Sequence, residues 1–595
     1  MADETLLVLY GTETGTAMDL GEIFWRECKK RGISVRLMAF DEYNLNELPS
    51  EPFFIFIVST SGNGELPTNM RENWRRLLNT RIPRDWLDET EFVGFGLGDS
   101  SYQKFNFAAK KLYRRLLQLS ATSLADLYLA DDQHELGPYG LFTQFMENLW
   151  VILESKKDIF PSFHSNPDPE FPFKFKIVPP EAVHSHSSEF VEVECLQNER
   201  VTSEDHFQET RLISFSKRPD NASRLAYEPG DVLMVQPQNL PDSIEVAKTA
   251  LNLTEDLLNR EFSILPTERT IKMPPTWLVP QPTTIKTLLT TYFDLEMIPK
   301  QSFLKILSEF SKNEMEKERL EEFYDPKNLD EYLDYAQRPR RTIAEALRDF
   351  VATSKEFFEV EFEEAARRLF ELFVPIRPRA FSIASSPLAH KDKIQIIVAK
   401  VSYRSIVMKE HRKGLCSTFL AQLKSGDKVY VKIRKGTFKF QPLYDNLHQG
   451  AICVGPGTGI APFRSFCSEI DLKPQNSEKK CLVFFGCRHP RKDYYFQEDW
   501  KALESTEIST SFSRPDNAEE KSYVQDKIRE NGEKVWKMID ERDASIFVAG
   551  RAKEMPDEVM KAFKDVIQKF GRLEDPEEYI NRMEKQARIQ YETWD

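Results

Sequence analysis

The N-terminal residues LLVLYGTETGTAMD constrain the fold most, because they predict a strand, a loop and a helix in immediate succession. Residues 6–10 form an apolar run typical of a buried parallel strand, and residues 17–30 carry apolar side chains at helical spacing before Gly32. Further strand-like runs occur at residues 33–40, 53–60, 91–97 and 124–130. Helical patterns lie between them, so this alternation predicts a doubly wound α/β domain that ends near residue 154.

The loop between the first strand and helix is suited to an anion. A helix N-terminus offers unpaired N–H groups and partial positive charge, and the hydroxyls of Thr12, Thr14 and Thr16 are further donors. The loop lacks the lysine with which triphosphate-binding loops offset the extra charge, so one small phosphate monoester suits it better. An ordinary polar turn between strand and helix is the alternative interpretation of this loop alone.

The loops after the later strands complete the predicted site, because ligands of such sheets lie beyond the carboxyl ends of the strands. These loops span residues 59–69, 96–106 and 129–137. Their glycines let the backbone approach a flat ring, and Tyr102 can stack on one. A planar ring beside the phosphate loop is therefore expected.

Composition narrows the class of protein. The seven cysteines form no C-x-x-C pair and no H-E-x-x-H occurs, so we expect free thiols, a reducing compartment and no metal site. No run approaches the ~18 apolar residues of a membrane span. Because the start MADETLLVLYG leads straight into the first strand, we expect a cytosolic (cytoplasmic) protein without signal peptide or membrane anchor.

The net charge of −14 argues against nucleic acid as a partner, since a phosphate backbone needs a basic face. Acidic residues gather in the first 150 positions: Asp85, Asp88, Glu89, Glu91, Asp126, Asp131, Asp132 and Glu135. They form either a solvated surface or a docking face for a basic partner.

The rest of the chain divides by composition. Residues 155–188 are rich in proline and serine, which predicts a linker and a hinge after the first domain, 1–154. Residues 189–445 show β patterns around a mostly helical stretch at about 243–370, as expected of a β-barrel with a helical insertion. Residues 446–595 alternate strands and helices again, which predicts a second α/β domain.

Two segments of the barrel carry candidate binding residues. In RPRAFSIASS, Arg379 can neutralise a phosphate, Phe381 can lie against a ring and Ser382 can offer a hydroxyl to its reacting edge. A core strand with one surface arginine fits that segment nearly as well when it is taken alone. The segment RKGLCSTFLAQL opens a helix at Gly414 and gives a second anion-binding start. Two such phosphate sites in one barrel predict a dinucleotide.

The last domain has the features of a nucleotide site. AICVGPGTGIAPFRSF predicts a strand, a glycine loop and a helix, and FFGCRHP places Cys487 at a strand end. The segment SFSRPDNAEEKSYVQ gathers hydroxyls and cations of the kind that bind a 2′-phosphate. Trp594, the penultimate residue, either seals a core edge or covers a flat ring from which a loosely restrained terminus can swing away.

With these motifs in this order, nearly the whole chain resembles the diflavin reductase family, which includes the cytochrome P450 reductases. The fold implied is α/β multidomain: a flavodoxin-like doubly wound FMN domain, a β-barrel FAD domain with a helical insertion, and an α/β NADPH-binding domain. The resemblance implies an NADPH-dependent oxidoreductase, a flavoprotein that passes electrons from NADPH through FAD and FMN to a protein acceptor.

Within that family the chain is similar to the cytosolic branch that serves iron–sulfur cluster assembly. The acceptor implied is an anamorsin-type iron–sulfur protein, and a monomer without membrane anchor is expected. A general reductase for haem proteins is the alternative enzyme. A scaffold that carries flavins structurally is the alternative from another class.

The resemblance also implies the site residues. FMN would be held by Thr12, Glu13, Thr14, Gly15, Thr16, Ala17, Ser59, Thr60, Ser61, Gly62, Asn63, Gly64, Leu97, Gly98, Asp99, Tyr102, Phe105, Asn106 and Asp132. FAD would be held by Arg379, Ala380, Phe381, Ser382, Gly414, Leu415, Cys416 and Ser417, with Trp594 over its ring. NADPH would be held by Gly457, Thr458, Ser513, Arg514, Lys521, Tyr523 and Gln525. Hydride transfer would use Ser382, Cys487, Glu592 and Trp594.

Three positions depart from the P450 reductase pattern. Ser61 stands where that branch has a second stacking tyrosine, which leaves one FMN face more open. Phe381 replaces a tyrosine and removes one hydrogen bond to FAD. Glu592 replaces the more usual aspartate and is longer by one methylene group.

Overall fold

The structure is a computed structural model that describes residues 5–62, 64–102, 104–181, 188–405, 411–445, 449–472, 480–517, 521–552 and 554–594. The chain forms two compact units. The first unit comprises Met1–His186, Pro241–Pro375 and Ser405–Met408. The second unit comprises Ser187–Leu240, Ile376–Arg404 and Lys409–Asp595.

The first unit begins with a parallel six-stranded sheet. Its strands are β1 (Thr5–Gly11), β2 (Ser34–Ala39), β3 (Phe53–Ser59), β4 (Glu91–Gly98), β5 (Thr122–Ser123) and β6 (Tyr128–Asp131), in the order β2-β1-β3-β4-β5, with β6 also paired to β4. The helices are α1 (Thr16–Lys30), α2 (Arg71–Leu77), α3 (Phe107–Gln118) and α4 (Gly137–Glu154), with 3-10 turns at Phe40–Glu42, Leu45–Ser50 and Thr68–Met70. The predicted doubly wound fold is confirmed, although the last strand begins at Tyr128 instead of residue 124.

Both faces of this sheet are covered, which explains the continuous apolar run of its first strand. Leu6 and Val8 pack in one cluster with Phe24 of α1, and Leu7 and Leu9 pack in another with side chains of α3. Successive side chains of a strand point to opposite faces, so a strand buried on both faces must be apolar throughout. The polar loops of this domain therefore lie at the edges of the sheet.

The described part of the expected linker packs against the first unit. Phe160 and Phe163 are buried in the same cluster as α1. Strand β7 (Phe175–Val178) pairs antiparallel with residues 263–266. Residues 182–187 of the expected linker lie outside the described residues.

After strands β8 (Val191–Arg200), β9 (Thr210–Ser216) and β10 (Val232–Gln236), the chain enters the stretch for which a helical insertion is expected. It contains α5 (Pro241–Ala250), α6 (Glu255–Asn259), β11 (Ser263–Pro266), α7 (Ile285–Thr287), α8 (Gln301–Phe310), α9 (Glu314–Glu322), α10 (Leu329–Tyr332), α11 (Ile343–Asp349), α12 (Val351–Glu356) and α13 (Phe362–Leu372). Shorter turns are the π-helices Leu288–Tyr292 and Leu333–Gln337 and the 3-10 turn Pro326–Asn328. These helices belong to the first unit, although the strands on either side of them belong to the second.

The second unit contains an antiparallel barrel of six strands. The chain adds β12 (Arg379–Ser382), β13 (Lys393–Ala399), β14 (Ser402–Arg404), β15 (His411–Lys413) and β16 (Lys428–Arg434), with helices α14 (Leu415–Gln422) and α15 (Gln441–Asp445). The barrel order is β12-β10-β16-β8-β9-β13, and β14 pairs with β15. A bridge between Ile383 and Ile396 joins the two end strands and closes the barrel.

The chain ends in a parallel five-stranded sheet of the order β19-β18-β17-β20-β21. Its strands are β17 (Ala451–Val454), β18 (Cys481–Cys487), β19 (Thr506–Phe512), β20 (Ser545–Arg551) and β21 (Ile589–Trp594). Its helices are α16 (Ala461–Ile470), α17 (Gln497–Ala502), α18 (Val524–Glu530), α19 (Gly532–Glu541), α20 (Glu554–Gly571) and α21 (Pro576–Lys585), after a 3-10 turn at Gly457–Ile460. Because all five strands run in one direction, the loops after β17, β18 and β19 lie at the same edge of the sheet as Trp594. Among the residues described, no helix is long and apolar enough to cross a membrane.

Candidate functional site

The loop between β1 and α1 has the donors that a phosphate monoester needs. Gly15 has φ 93° and no side chain with which to cap α1, so the first-turn N–H groups face the loop. The hydroxyl of Thr12 accepts the Gly15 N–H at 2.8 Å and fixes the turn, whereas Thr14 is exposed. Glu13 accepts the backbone N–H of Thr68 at 2.8 Å, which ties its carboxylate to a neighbouring turn. With Thr16 opening the helix and no cation in the loop, these residues fit one phosphate group.

The loop after β3 lies beside this phosphate loop. Gly11 pairs with Val58, so both loops leave the same edge of the sheet, where the Ser59 hydroxyl donates to the Gly11 carbonyl at 3.3 Å. Ser61 and Glu65 exchange two backbone hydrogen bonds of 3.0 and 2.7 Å, which makes the loop narrow. The positive φ angles of Gly62 and Gly64, 49° and 79°, allow that tight turn. Asn63 lies outside the described residues.

The loop after β4 presents the predicted stacking tyrosine. Leu97 is buried in the sheet, and its carbonyl accepts the N–H of Thr60 at 2.9 Å, which joins this loop to the one after β3. Asn106 is fully buried with φ 55°, and its side-chain amide donates to Ala130 at 2.9 Å. The ring of Tyr102 is 53% exposed at the tip of the loop. The loop therefore exposes the ring of Tyr102, while its base is held in place by the buried Asn106.

Close packing at the base of this loop requires glycine. A Cβ atom added to Gly98 would lie 2.8 Å from the backbone nitrogen of Asn106.

Two further residues of the predicted FMN set lie at this edge. The ring centroid of Phe105, which is half-buried, lies 5.0 Å from the ammonium group of Lys110. Ala17, at the start of α1, is fully buried and packs inward, so it contributes only backbone to this edge.

Asp99, Asp131 and Asp132 place three carboxyl groups near each other at this edge of the sheet. The Asp131 carboxylate accepts the N–H groups of Ser100 and Gln133 at 2.9 and 3.0 Å, and these bonds outweigh desolvation and lower its pKa. Loss of hydration raises the pKa of Asp132 to about 6, and the nearby Asp99 and Asp131 carboxylates act in the same direction. The negative charge of this edge therefore changes near pH 6.

In the barrel, β12 places Arg379 and Phe381 in different surroundings. Arg379 and Ala380 are exposed, and Arg379 donates to the Arg377 carbonyl at 2.7 Å. Arg379 forms no ion pair with a carboxylate in the described part of the chain, so its guanidinium group is available to a phosphate. Phe381 is half-buried and packs against the barrel core. Strand β12 thus presents one cation, the guanidinium group of Arg379, at the surface.

The turn before α14 is closed by the side chain of Ser417. The Ser417 hydroxyl donates to the Gly414 carbonyl at 3.2 Å and accepts the Val401 N–H at 3.0 Å. Leu415 and Cys416 are buried, and burial raises the pKa of Cys416 to about 12. This turn can therefore offer backbone N–H groups to a pyrophosphate, while the side chains of these residues are engaged elsewhere.

Two of the predicted catalytic residues are directly joined. The Ser382 hydroxyl donates to Oε1 of Glu592 at 2.6 Å. Thr437 donates to Oε2 of the same carboxylate at 3.4 Å and to the Tyr591 carbonyl at 3.0 Å. Burial raises the pKa of Glu592, and the hydrogen bonds from Ser382 and Thr437 offset only part of this effect. Sequence reasoning missed Thr437, because the segment GTFKF that contains it matches no motif.

Cys487 ends β18 as a protonated thiol. It is almost fully buried, and burial raises its pKa well above the ordinary value for cysteine. Its thiol group donates to the His489 carbonyl at 3.9 Å. A thiol in this state is a weak nucleophile and is suited to packing or hydrogen bonding.

The glycine loop after β17 permits close approach of the backbone. A Cβ atom added to Gly459 would lie 2.3 Å from the Ala549 carbonyl, so only glycine fits that position. Gly457 has φ 58°, and a Cβ atom added there would meet nothing within 4 Å. Thr458 follows in the 3-10 turn and is half-buried. One side of this loop is therefore open to a ligand.

The loops after β18 and β19 are joined to each other. The N–H groups of Ser513 and Arg514 donate to the carbonyls of Cys487 and Arg488 at 3.0 and 2.7 Å. The Lys521 ammonium group lies 5.4 Å from the ring of Tyr523, which is exposed, and Gln525 follows in the first turn of α18. Arg488 was not predicted from the sequence, although it stands in the segment FFGCRHP.

Trp594 is held by its backbone, contrary to the expectation of a loosely restrained terminus. Its carbonyl accepts the Ala552 N–H at 2.8 Å, and it pairs with Arg551 at the end of β21. Its side chain is 38% exposed. Only the side chain can therefore move without breaking the sheet.

Comparison with known proteins identifies the same three domains in the same order. Three family models match in chain order: Flavodoxin over residues 8–139, FAD binding domain over 183–419, and Oxidoreductase NAD-binding domain over 453–561. This set of domains defines a diflavin reductase.

Relatives match over the whole length. The protein named NADPH-dependent diflavin oxidoreductase 1 is 37% identical in Danio rerio and 33% identical in Schizosaccharomyces pombe, with 100% of both chains covered in each case. The one in Mus musculus is 38% identical, with 99% of both chains covered. The chain therefore belongs to the NADPH-dependent diflavin oxidoreductase family. It is an oxidoreductase that uses FMN, FAD and NADPH.

Proposed function

We propose that this oxidoreductase delivers electrons to an anamorsin-type iron–sulfur protein in cytosolic iron–sulfur cluster assembly. The proposal rests on its resemblance to the branch with that role. The observation that carries it furthest is the acidic edge beside Tyr102, where the exposed Glu135 follows Asp131 and Asp132. Complementary charge speeds encounter with a partner and fixes its orientation, so this edge suits an acceptor with basic residues around its cluster.

The residue assignments form part of the proposal. Thr12, Thr14, Thr16 and the backbone of residues 15–17 hold the FMN phosphate, and Tyr102 lies against the flavin ring. Arg379 and the turn at Gly414 hold the pyrophosphate of FAD. Arg514 and Lys521 receive the 2′-phosphate of NADPH. When bound, FAD and FMN would supply hydride acceptance from NADPH and one-electron transfer to the acceptor.

The chain's own residues prepare the hydride-transfer site. Glu592 holds the Ser382 hydroxyl in one orientation through a 2.6 Å hydrogen bond, which presents the serine oxygen to the reacting edge. The raised pKa of Glu592 lets its carboxyl group hold or release a proton above the usual range for glutamate. Cys487 contributes a neutral, buried thiol.

Kinetic comparison of acceptors tests the proposed partner. We expect NADPH-driven reduction of the purified iron–sulfur protein with a higher kcat/KM than reduction of a haem protein such as cytochrome c. A preference for the haem protein would favour the general reductase. Failure to reduce any acceptor would favour the flavin-carrying scaffold.

Charge variants test the docking edge. Glu135→Gln should lower kcat/KM for the iron–sulfur acceptor several-fold, and added salt should reduce that difference, because exposed charges are screened within about 10 Å at 0.1 M salt. Glu147→Gln, which removes an exposed charge from α4, is the matched control. Salt-independent affinity would indicate apolar docking instead.

A further inference from the structure

Phe207, between β8 and β9, is an exposed aromatic residue in contact with two cations. Its side chain is 67% exposed, so burial alone gives it little reason to be fixed. The guanidinium carbon of Arg488 lies 4.3 Å from the ring centroid, and that of Arg514 lies 5.7 Å from it. Both distances are within the range of cation–π attraction. One ring is thus in contact with both guanidinium groups.

The position of Phe207 is fixed by its neighbour. His206 is buried, and its ring lies 4.9 Å from that of Phe207. Its Nε2 atom lies 3.6 Å from the carboxylate of Asp493, which also accepts the N–H groups of Arg488 and His489 at 3.0 and 2.7 Å. One buried carboxylate thus links the segment that carries Phe207 to the loop that carries Arg488.

Neither guanidinium group is neutralised by the residues described. Arg488 and Arg514 form no ion pair with a carboxylate in the ranges that the structure covers. Asp516, two residues after Arg514, binds His489 and Arg491 instead. Like charges repel each other, and the negative face of an aromatic ring reduces that cost. Two fixed guanidinium groups without a carboxylate suit a phosphate dianion, which each can bind through charge-assisted hydrogen bonds.

We propose that Phe207 is a positioning residue for selection of NADPH over NADH. Its ring holds Arg488 and Arg514 as a pair, and that pair binds the 2′-phosphate. NADH lacks the 2′-phosphate, so the arginine pair does not increase the affinity of the enzyme for NADH. The inference rests on the proposed assignment of Arg514 to the 2′-phosphate.

Substitution of Phe207 in the flavin-loaded, full-length enzyme tests this role. Phe207→Leu keeps an apolar side chain but removes the π face, so the Kd for 2′,5′-ADP, measured by titration calorimetry, should rise about three- to tenfold. The KM for NADPH should rise to a similar extent, with kcat and the kinetics with NADH unchanged. Phe207→Tyr keeps the ring and should retain the affinity of the parent enzyme.

A matched control removes a cation–π contact elsewhere in the second unit. Tyr579→Leu separates a ring from Arg582, whose guanidinium carbon lies 4.6 Å from it, and should leave the Kd for 2′,5′-ADP unchanged. In an Arg514→Ala background, the effect of Phe207→Leu should shrink, because one of the two cations that the ring positions is gone.

The outcomes separate this inference from the assignment on which it rests. If Arg514→Ala with Lys521→Ala leaves the ratio of NADPH to NADH use unchanged, the 2′-phosphate site itself lies elsewhere. If that double variant loses NADPH selectivity but Phe207→Leu binds 2′,5′-ADP as tightly as the parent, the role of Phe207 is overturned. An equal loss with NADPH and NADH would also overturn it, because it would indicate a general effect on the fold.

Discussion

At the scale of single residues, burial decides the chemistry of the proposed hydride-transfer site. Glu592 would be an ordinary surface carboxylate in an extended chain, but the sheet and the barrel remove water from it, and its pKa rises. Ser382 and Thr437 donate to its two oxygens and so favour the charged form. The balance leaves a carboxyl group that titrates closer to neutral pH than a free glutamate does.

Titration of Glu592 should control the rate of hydride transfer. The kcat for NADPH oxidation should increase as pH rises through a pKa above the ordinary value of 4.5, because the carboxylate form accepts the Ser382 hydrogen bond. Glu592→Gln should remove this step and lower kcat about 10- to 100-fold, as expected for loss of a charge-assisted hydrogen bond. The measurement is kcat against pH for both proteins.

The raised pKa of Glu592 should also make the stability of the folded protein depend on pH, but in the opposite direction to kcat. Because the pKa of Glu592 is raised in the folded protein, its stabilising contribution is complete below the unfolded value of 4.5 and is lost as pH rises through the folded value. Glu592→Gln should abolish this pH-dependent loss. Glu558→Gln, at an exposed position of α20, is the control, and an unchanged pH profile in Glu592→Gln would contradict the assignment.

Trp594 should affect the choice between NADPH and NADH. If its exposed side chain covers the flavin ring, Trp594→Ala should improve kcat/KM for NADH more than for NADPH, about two- to tenfold, because NADPH has a 2′-phosphate with which to displace it. Substitution is a cleaner test than truncation, since truncation would also remove the hydrogen bond between the Trp594 carbonyl and Ala552. Kinetics with both nucleotides and the Tm of each protein are measured.

The competing role for Trp594 gives a different result. A tryptophan that only seals an apolar edge would lower the Tm when replaced, and the ratio of NADPH to NADH use would stay constant. Trp594→Phe keeps an aromatic ring and should fall between the parent enzyme and Trp594→Ala in NADH use.

At the scale of elements, α1 connects the phosphate loop to the helical insertion within the first unit. Its Asp19 carboxylate is buried and accepts hydrogen bonds of 2.6 Å from Tyr139 of α4 and Ser302 of α8. Farther along, Arg26 donates to the carboxylate of Glu371 on α13 at 3.4 Å, and both residues are buried. The helix that begins at the phosphate loop is thus anchored by polar groups of the insertion.

Removal of the Arg26 cation tests this anchoring. Arg26→Met should destabilise the first unit by about 3 kcal/mol, because the Glu371 carboxylate is left buried without its cation. The double variant Arg26→Met with Glu371→Gln should recover much of the loss. Urea unfolding gives the free energies, and hydrogen exchange in α1 and α13 shows where the protein opens. Equal losses in the single and double variants would contradict a role for the ion pair.

At the scale of the whole molecule, the proposed phosphate sites are divided between the two units. The proposed FMN loops all belong to the first unit, and the proposed FAD and NADPH residues all belong to the second. Each set lies within one unit. The flavins should therefore be bound independently.

The whole-molecule prediction follows from this division. Flavin released from the purified protein should contain FMN and FAD in equal amounts, as measured by chromatography. Thr14→Ala with Thr16→Ala should lower the FMN content and leave the FAD content unchanged, whereas Arg379→Ala should do the reverse. A joint loss of both flavins from either variant would show that the two sites depend on each other.

Much of the fold could be predicted from local pattern. The apolar run at residues 6–10 and the spacing in residues 17–30 correspond to β1 and α1 within a few residues. Such patterns succeed because side-chain burial repeats with the period of the element itself. They failed at the start of β6, where residues 124–127 are apolar in part but do not pair as a strand.

The sequence by itself determined the class of the protein: the order of the α/β, barrel and α/β segments, the phosphate loops and the dependence on two flavins and NADPH. Only the tertiary structure decided which side chains meet. Ser382 and Glu592 are separated by 210 positions, and Arg26 and Glu371 by 345, yet each pair is in contact. Periodicity reports whether a residue is buried, but the partner that it meets depends on how distant elements pack, which no local pattern records. Phe207 shows this most plainly, because its sequence context matches no motif and its role follows only from two arginines that the fold places beside its ring.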